Sequence, residues 1–261
     1  GLDCVPKASY DNSLGNPTMH AIRLFLISCL VAVLLAGCNE SPSTRDDLRF
    51  PDRHYRSYTL DNGLTVLLIS DPHATQMATS LSVGVGLWAD PKAHLGLAHF
   101  LEHSLFLGTE KYPDVGSYFR FIEHHGGMAN AYTSAEETNY MFQVDSNVGE
   151  EALDRFSEFF IAPLLDPKHL NREVHAIESE HSKNRSNDAA RLEAAIAHAV
   201  RPDHPAHQFH TGTTQTLAGV DAATLKTFME QHYSSDIMTL AVLAPQSLET
   251  LEQWVNTRFS T

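Results

Sequence analysis

Residues 77–107, MATSLSVGVGLWADPKAHLGLAHFLEHSLFL, change period part-way along. Met77, Thr79, Leu81, Val83 and Val85 fall on one face, and Ala78, Ser80, Ser82, Gly84 and Gly86 on the other. That two-residue alternation is the mark of a strand. Its small-residue face would let another element, expected to be a helix, pack closely on it. From His94 to Leu107 the apolar residues recur at helical spacing.

The flanking segments extend the pattern. YTLDNGLTVLLIS (58–70) reads as a hairpin turning at Asn62-Gly63. DVGSYFRFIEHHGG reads as a helix capped by Asp114 and stopped by Gly126-Gly127, and residues 128–144 return to strand composition. GEEALDRFSEFFIAPLL is an amphipathic helix. The next helix begins at Asp166-Pro167, with Asp as cap and Pro in the first helical position, and could run past Asn184 into DAARLEAAIAHAV. A loop over RPDHPAHQFHTGTTQTL, a helix near 222–232, a strand at 237–244 and a helix at 247–259 complete the chain. With the hairpin as one unit the order is β-β-α-α-β-α-α-α-β-α. It predicts an α+β fold, a mostly antiparallel sheet packed on one face by helices.

Bulk properties narrow the function. The 261 residues suffice for one ordinary domain or two small ones, and 43% hydrophobic content can supply a core. A formal net charge of −14 would repel a phosphate backbone, which argues against a nucleic-acid partner. Cys4, Cys29 and Cys38 all precede the folded part, so a metal there must be held by histidine and carboxylate.

The N-terminal region reads as a targeting device. Residues 1–18 show no periodicity and are expected to be a non-native or unstructured leader, with translation starting at Met19. Basic Arg23, the apolar run Leu24–Ala36 and a small, polar stretch follow in the order of a secretory signal, residues 19–37. The run is shorter than the roughly 20 residues of a transmembrane helix. LAGC (35–38) resembles the lipobox of bacterial lipoproteins. That resemblance implies cleavage before Cys38, a lipid on its sulfur, and residues 38–50 as a tether. Asn39 in place of aspartate favours the outer membrane of a Gram-negative envelope, with the protein facing the periplasm.

Within the helix of residues 94–107, His99 and His103 stand four apart and so lie on one face, able to reach one metal ion, with Glu102 at its edge. Zinc takes three protein ligands in a catalytic site and leaves a fourth position open. A carboxylate beside it can take a proton from water. Phe100, Leu101, Leu105, Phe106 and Leu107 would bury most of the helix, and burying three ionisable groups is costly unless a cation compensates. The third ligand is sought among Glu173, Glu178 and Glu180. Glu173 and Glu180 are two turns apart and share a face, whereas Glu178 falls on another side; spacing alone does not choose between Glu173 and Glu180. His204, His207 and His210 lie in a Pro-broken loop and are not expected to form a second site, and His124-His125 are expected to end a helix.

HFLEH, residues 104–179 and then Glu180 resemble the inverted zinc motif of the pitrilysin/insulysin peptidases, the M16 metallopeptidases. HFLEHSLFLGTEKYP, GGMANAYTSAEETNY and REVHAIESEHSKN are similar to that family in the same order, so the likeness covers roughly residues 50–261. It implies a metallohydrolase domain like those of LuxS and the mitochondrial processing peptidase, over residues 51–261. It implies one Zn2+ held by His99, His103 and Glu180, Glu102 as general base, and Glu173 as a supporting acid. It also implies that Asn130 and Ala131, on an edge strand, bind the substrate backbone.

The expected activity is that of a zinc endopeptidase acting on oligopeptides or unfolded peptides. The alternatives are a specific processing peptidase, or a non-catalytic partner subunit that retains the fold. Family members close a chamber from two halves of two domains each. This chain matches only the first domain, so a fragment of a longer protease, or a subunit needing a partner that supplies the other half, is expected.

Overall fold

The computed structural model describes residues 52–207 and 211–260. The leader, the signal segment, Cys38 and its tether lie outside the described residues, as does His210. The elements are β1 (His54–Thr59), β2 (Thr65–Ser70), β3 (Gln76–Val83), α1 (Leu97–Leu105), α2 (Ser117–His124), β4 (Met128–Thr133), β5 (Thr138–Asp145), α3 (Gly149–Ile161), α4 (Pro167–Asn184), α5 (Asp188–Ala199), α6 (Ala222–His232), β6 (Met238–Ala244) and α7 (Leu248–Phe259).

The six strands form one sheet in the order β1-β2-β6-β3-β5-β4. Only β2 and β6 run parallel, and every other neighbouring pair is antiparallel. The mixed α/β fold with a largely antiparallel sheet is as the sequence predicts. Register shows where the core lies. Val66, Leu240, Leu81, Tyr140 and Ala131 are successive partners across the sheet and face the helices. The first four are fully buried. Next to them, Leu67, Ala241, Ser80, Met141 and Asn130 form the row on the opposite face.

That opposite face corrects one expectation. The large residues of β3, Met77, Leu81 and Val83, carry the helices, while Ala78 is exposed and Ser80 and Ser82 are half-buried. Ala78 and Ser80 line an open apolar groove of about 350 Å³ with Met128, Met141 and Leu243. The reason is energetic: burying Met, Leu and Val side chains removes far more apolar area from water than burying Ala and Ser.

Other differences are local. Residues 128–144 are two strands, β4 and β5, and the pair places β4 at the sheet's edge. Asp114 does not cap α2. The helix starts after Gly116 at φ +74°, and Asp114 instead offers its backbone carbonyl to Ser117 N–H. The helix begun by Asp166 and Pro167 ends at Asn184, and α5 restarts where the Asn187 side chain accepts from Ala189 and Ala190 N–H. Asn is a strong helix starter, which explains the break. His124 ends α2, with Gly126 in the left-handed region just beyond, as expected.

Candidate metal centre

Helix α1 sits between the sheet and α4. Leu97, Phe100, Leu101 and Leu105 are all at most 1% exposed and fix one side of it in the core. His99, Glu102 and His103 emerge on the other side, into a cleft of about 630 Å³. The start of α1 is held by Asp90, whose carboxylate accepts from Gly96 N–H at 2.6 Å and Ala98 N–H at 2.8 Å. A carboxylate here satisfies orphan amides and complements the positive end of the helix dipole.

His99 Nε2 and His103 Nε2 are 3.2 Å apart, with ring planes at 89°. Glu180 reaches in from α4, and its Oε2 lies 3.3 Å from His99 Nε2 and 3.7 Å from His103 Nε2. Ligands at about 2.0–2.1 Å from a tetrahedral zinc ion stand about 3.3–3.4 Å from one another. The triangle formed by these three atoms therefore fits one such ion. Glu102 also lies within 4.8 Å of both imidazoles. Its carboxylate is engaged elsewhere, however: Oε2 accepts a 2.6 Å hydrogen bond from the Thr133 hydroxyl on β4. Glu180 completes the triangle, and Glu102 stands beside it.

Both imidazoles are oriented through Nδ1. His103 Nδ1 is 3.4 Å from Glu173 Oε2, one face of α4 supplying both Glu173 and Glu180. His99 Nδ1 lies 2.8 Å from the Thr211 carbonyl. A carbonyl has no proton to give, so Nδ1 carries the hydrogen and Nε2 keeps its lone pair for a metal. Asn130 and Ala131 lie on the edge strand β4 and line the cleft, as do Tyr132 and Thr133. Phe106, Val115 and Phe119 give the cleft an apolar wall. Among the described residues, His204 and His207 contact main-chain groups. His204 Nδ1 accepts from Ala206 N–H, and His207 Nδ1 lies 3.1 and 3.0 Å from the carbonyls of Ala197 and Val200.

A model of the family described as Insulinase (Peptidase family M16) matches residues 65–212, more than half of the chain. The chain belongs to the M16 peptidase family. Insulin-degrading enzyme-like 1, peroxisomal, of Arabidopsis thaliana is 46% identical over 81% of this chain and 22% of its own length. Insulin-degrading enzyme of Mus musculus is 45% identical over 98% of this chain and 24% of its own. The crystal structure of pitrilysin superposes with a TM-score of 0.77 at 35% identity, covering 80% of this chain and 23% of that one. This M16 domain thus spans about a quarter of the length of the relatives it matches. M16 peptidases are zinc metallopeptidases, in agreement with the donor set described above.

The electrostatics of the M16 site follow from burial and pairing. Burial raises the Glu102 pKa above the usual carboxylate value, opposed by the Thr133 hydrogen bond and the two imidazoles. Glu180 is held well below the carboxylate range by its interactions with the His103 and His99 imidazoles. At His103 burial pulls the pKa down, but hydrogen bonds to Glu173 and Glu180 outweigh it and bring it up to about 9.

Two predictions arise here. In the metal-free protein His103 contributes stability that is fully present below its ordinary value of 6.5 and is lost as pH rises through about 9. The melting temperature of the metal-free protein should therefore fall between pH 7 and pH 10 by more than that of a His103→Gln variant; equal falls would contradict the pairing. Second, Thr133→Val should lower kcat by about tenfold or more with KM little changed, because a hydrogen bond to a charged group is worth about 1.5–3 kcal/mol. Thr133→Ser should restore it, and a KM effect alone would refute the assignment.

Sequence reasoning missed Thr133 and Thr211. Thr133 lies in the MANAYTS stretch, but nothing in its spacing shows that its hydroxyl faces α1. Thr211 acts through its backbone carbonyl, which no residue type signals.

Proposed function

We propose that this chain is the catalytic domain of a zinc endopeptidase that cleaves oligopeptides or unfolded peptides. The observation that carries the reading is the triangle of His99 Nε2, His103 Nε2 and Glu180 Oε2, with sides of 3.2, 3.3 and 3.7 Å and a buried carboxylate beside it. A zinc ion held there supplies electrophilic polarisation of a carbonyl and of water.

The chain's own residues supply the rest. Glu102, at 7% exposure and with its pKa raised, accepts the proton from the attacking water and delivers it to the leaving amine. Thr133 keeps the carboxylate aimed. The edge of β4 pairs with an extended peptide through its main chain, with Asn130 and Ala131 among the residues lining the cleft, so cleavage follows no strict sequence. The apolar wall of Phe106, Val115 and Phe119 receives a side chain next to the scissile bond.

The domain works in a longer, two-half protease, or with a partner subunit supplying the second half. Water exclusion and substrate orientation need that half, so the domain alone binds zinc and cleaves poorly. The order of basic, apolar and LAGC segments supports a lipid on Cys38 and a periplasm-facing position on the envelope. Labelling with a radioactive fatty acid should mark the protein and fail to mark a Cys38→Ser variant.

Metal analysis of the purified chain tests the core of this reading, which expects one zinc per chain. A chain that takes up none at micromolar zinc refutes it. Length profiling of the products then separates a general degrader, which makes many cuts in short peptides, from a processing peptidase, which makes one.

A further inference from the structure

Glu178 shares α4 with Glu173 and Glu180 but projects to another side, away from the cleft. There its Oε2 accepts two hydrogen bonds from one residue, Thr214 N–H at 2.7 Å and Thr214 Oγ1–H at 3.0 Å. Thr214 belongs to a short segment that returns past the start of α1. Three residues earlier in that segment is Thr211, whose carbonyl faces His99 Nδ1.

The segment between these two points is built to transmit position. Thr213 and Thr216 close a turn on each other: Thr213 N–H donates to Thr216 Oγ1 at 2.9 Å and Thr216 N–H to Thr213 Oγ1 at 3.1 Å. Leu217 anchors the far end in the core at 2% exposure. Gly212, at φ +93°, touches the start of α1 so closely that a Cβ on Gly96 would fall 2.3 Å from its Cα. At the Thr211 end, Gly212 packs beside Ile177 of α4, where a Cβ on the glycine would fall 3.1 Å from Ile177 Cγ2, and Glu178 adds the hydrogen bonds that tie the turn to α4.

We propose that Glu178 is a positioning residue for the zinc ligand His99: it fastens the turn whose Thr211 carbonyl sets the tautomer and plane of that imidazole. Its role toward His99 parallels that of Glu173 toward His103. One ring is braced directly by a carboxylate, the other through a backbone carbonyl held in place by a second carboxylate. Groups that orient a ligating histidine commonly change metal affinity by about 10–100-fold when removed. The inference rests on the zinc reading above.

The test uses the whole chain and zinc alone. Zinc affinity is measured by competition with a chromophoric chelator, and the His99 ring nitrogens are followed by 15N NMR in the metal-free protein. Glu178→Ala should weaken zinc binding by about 10–100-fold and introduce the Nε2–H tautomer of His99. Glu178→Gln keeps an acceptor oxygen for Thr214 and should restore both readouts to within a few-fold of wild type. Thr214→Val loses only the hydroxyl bond and should fall between them; it also serves as the probe if Glu178→Ala does not fold.

Wild-type affinity and unchanged His99 nitrogens in Glu178→Ala, or in Thr214→Val where that is the probe, would overturn the proposal. So would a Gln variant as impaired as the Ala variant, since charge rather than the clamp would then be responsible. A wild-type chain that binds no zinc would refute the metal reading itself, an outcome separate from these.

Discussion

Glu102→Gln in the assembled protease should cut kcat by about 10²–10⁴-fold, the usual contribution of a positioned general base, and leave the zinc content at one per chain. The substitution is nearly isosteric, and it removes only the ability to take up and return a proton. The structure gives it little other effect. Glu102 sits outside the triangle of His99, His103 and Glu180, and its oxygen bound to Thr133 has a counterpart in the glutamine carbonyl. Hydrolysis and metal analysis on the same preparation check the result. Undiminished turnover would remove Glu102 from the chemistry. A loss of zinc would instead make Glu102 a ligand, in place of Glu180.

The second large effect is on stability. The metal-free site holds two imidazoles and three carboxylates around one cleft. A ligand that binds only the folded chain stabilises it by about 4.1 kcal/mol at a thousandfold excess over its Kd. For a folded region of this size each kcal/mol moves the melting temperature by about 2–4 °C. Saturating zinc should therefore raise it by about 8–16 °C, and a chelator should reverse the rise. Glu180→Ala should lose most of this gain, because two imidazoles without their carboxylate hold zinc poorly. Glu102→Gln should keep it. Scanning calorimetry with and without zinc decides the matter, and an equal rise in Glu180→Ala would exclude Glu180 from the ligand set.

Much of this site can be read in the sequence because it depends on helical spacing. His99, Glu102 and His103 lie on one helix, where a separation of four places side chains together whatever the rest of the chain does. Choosing Glu180 over Glu173 is a different problem. Both share a face of α4, and only the approach of α4 to α1 puts Glu180 at Nε2 of both rings and Glu173 at Nδ1 of one. Only the family resemblance, not the spacing, singles out Glu180 in the sequence. Thr133, Thr211 and Thr214 could not be read, since their roles depend on a strand and a loop brought to α1 from elsewhere in the chain. The misread side of β3 has a similar origin: alternation shows that a strand has two faces, and the sheet as a whole decides which one the helices cover.

The place of β6 has a consequence for how the molecule comes to exist. It lies between β2 and β3, so until residues 238–244 have been made the ribbon of β1 and β2 has no bond to the ribbon of β3, β5 and β4. During synthesis the histidine-bearing helix therefore waits on a half-built floor until β6 has emerged from the ribosome. Such long-range closure is slow and leaves apolar strands bare in the meantime, so assembly of the cleft is gated by the last strand of the sheet to be translated.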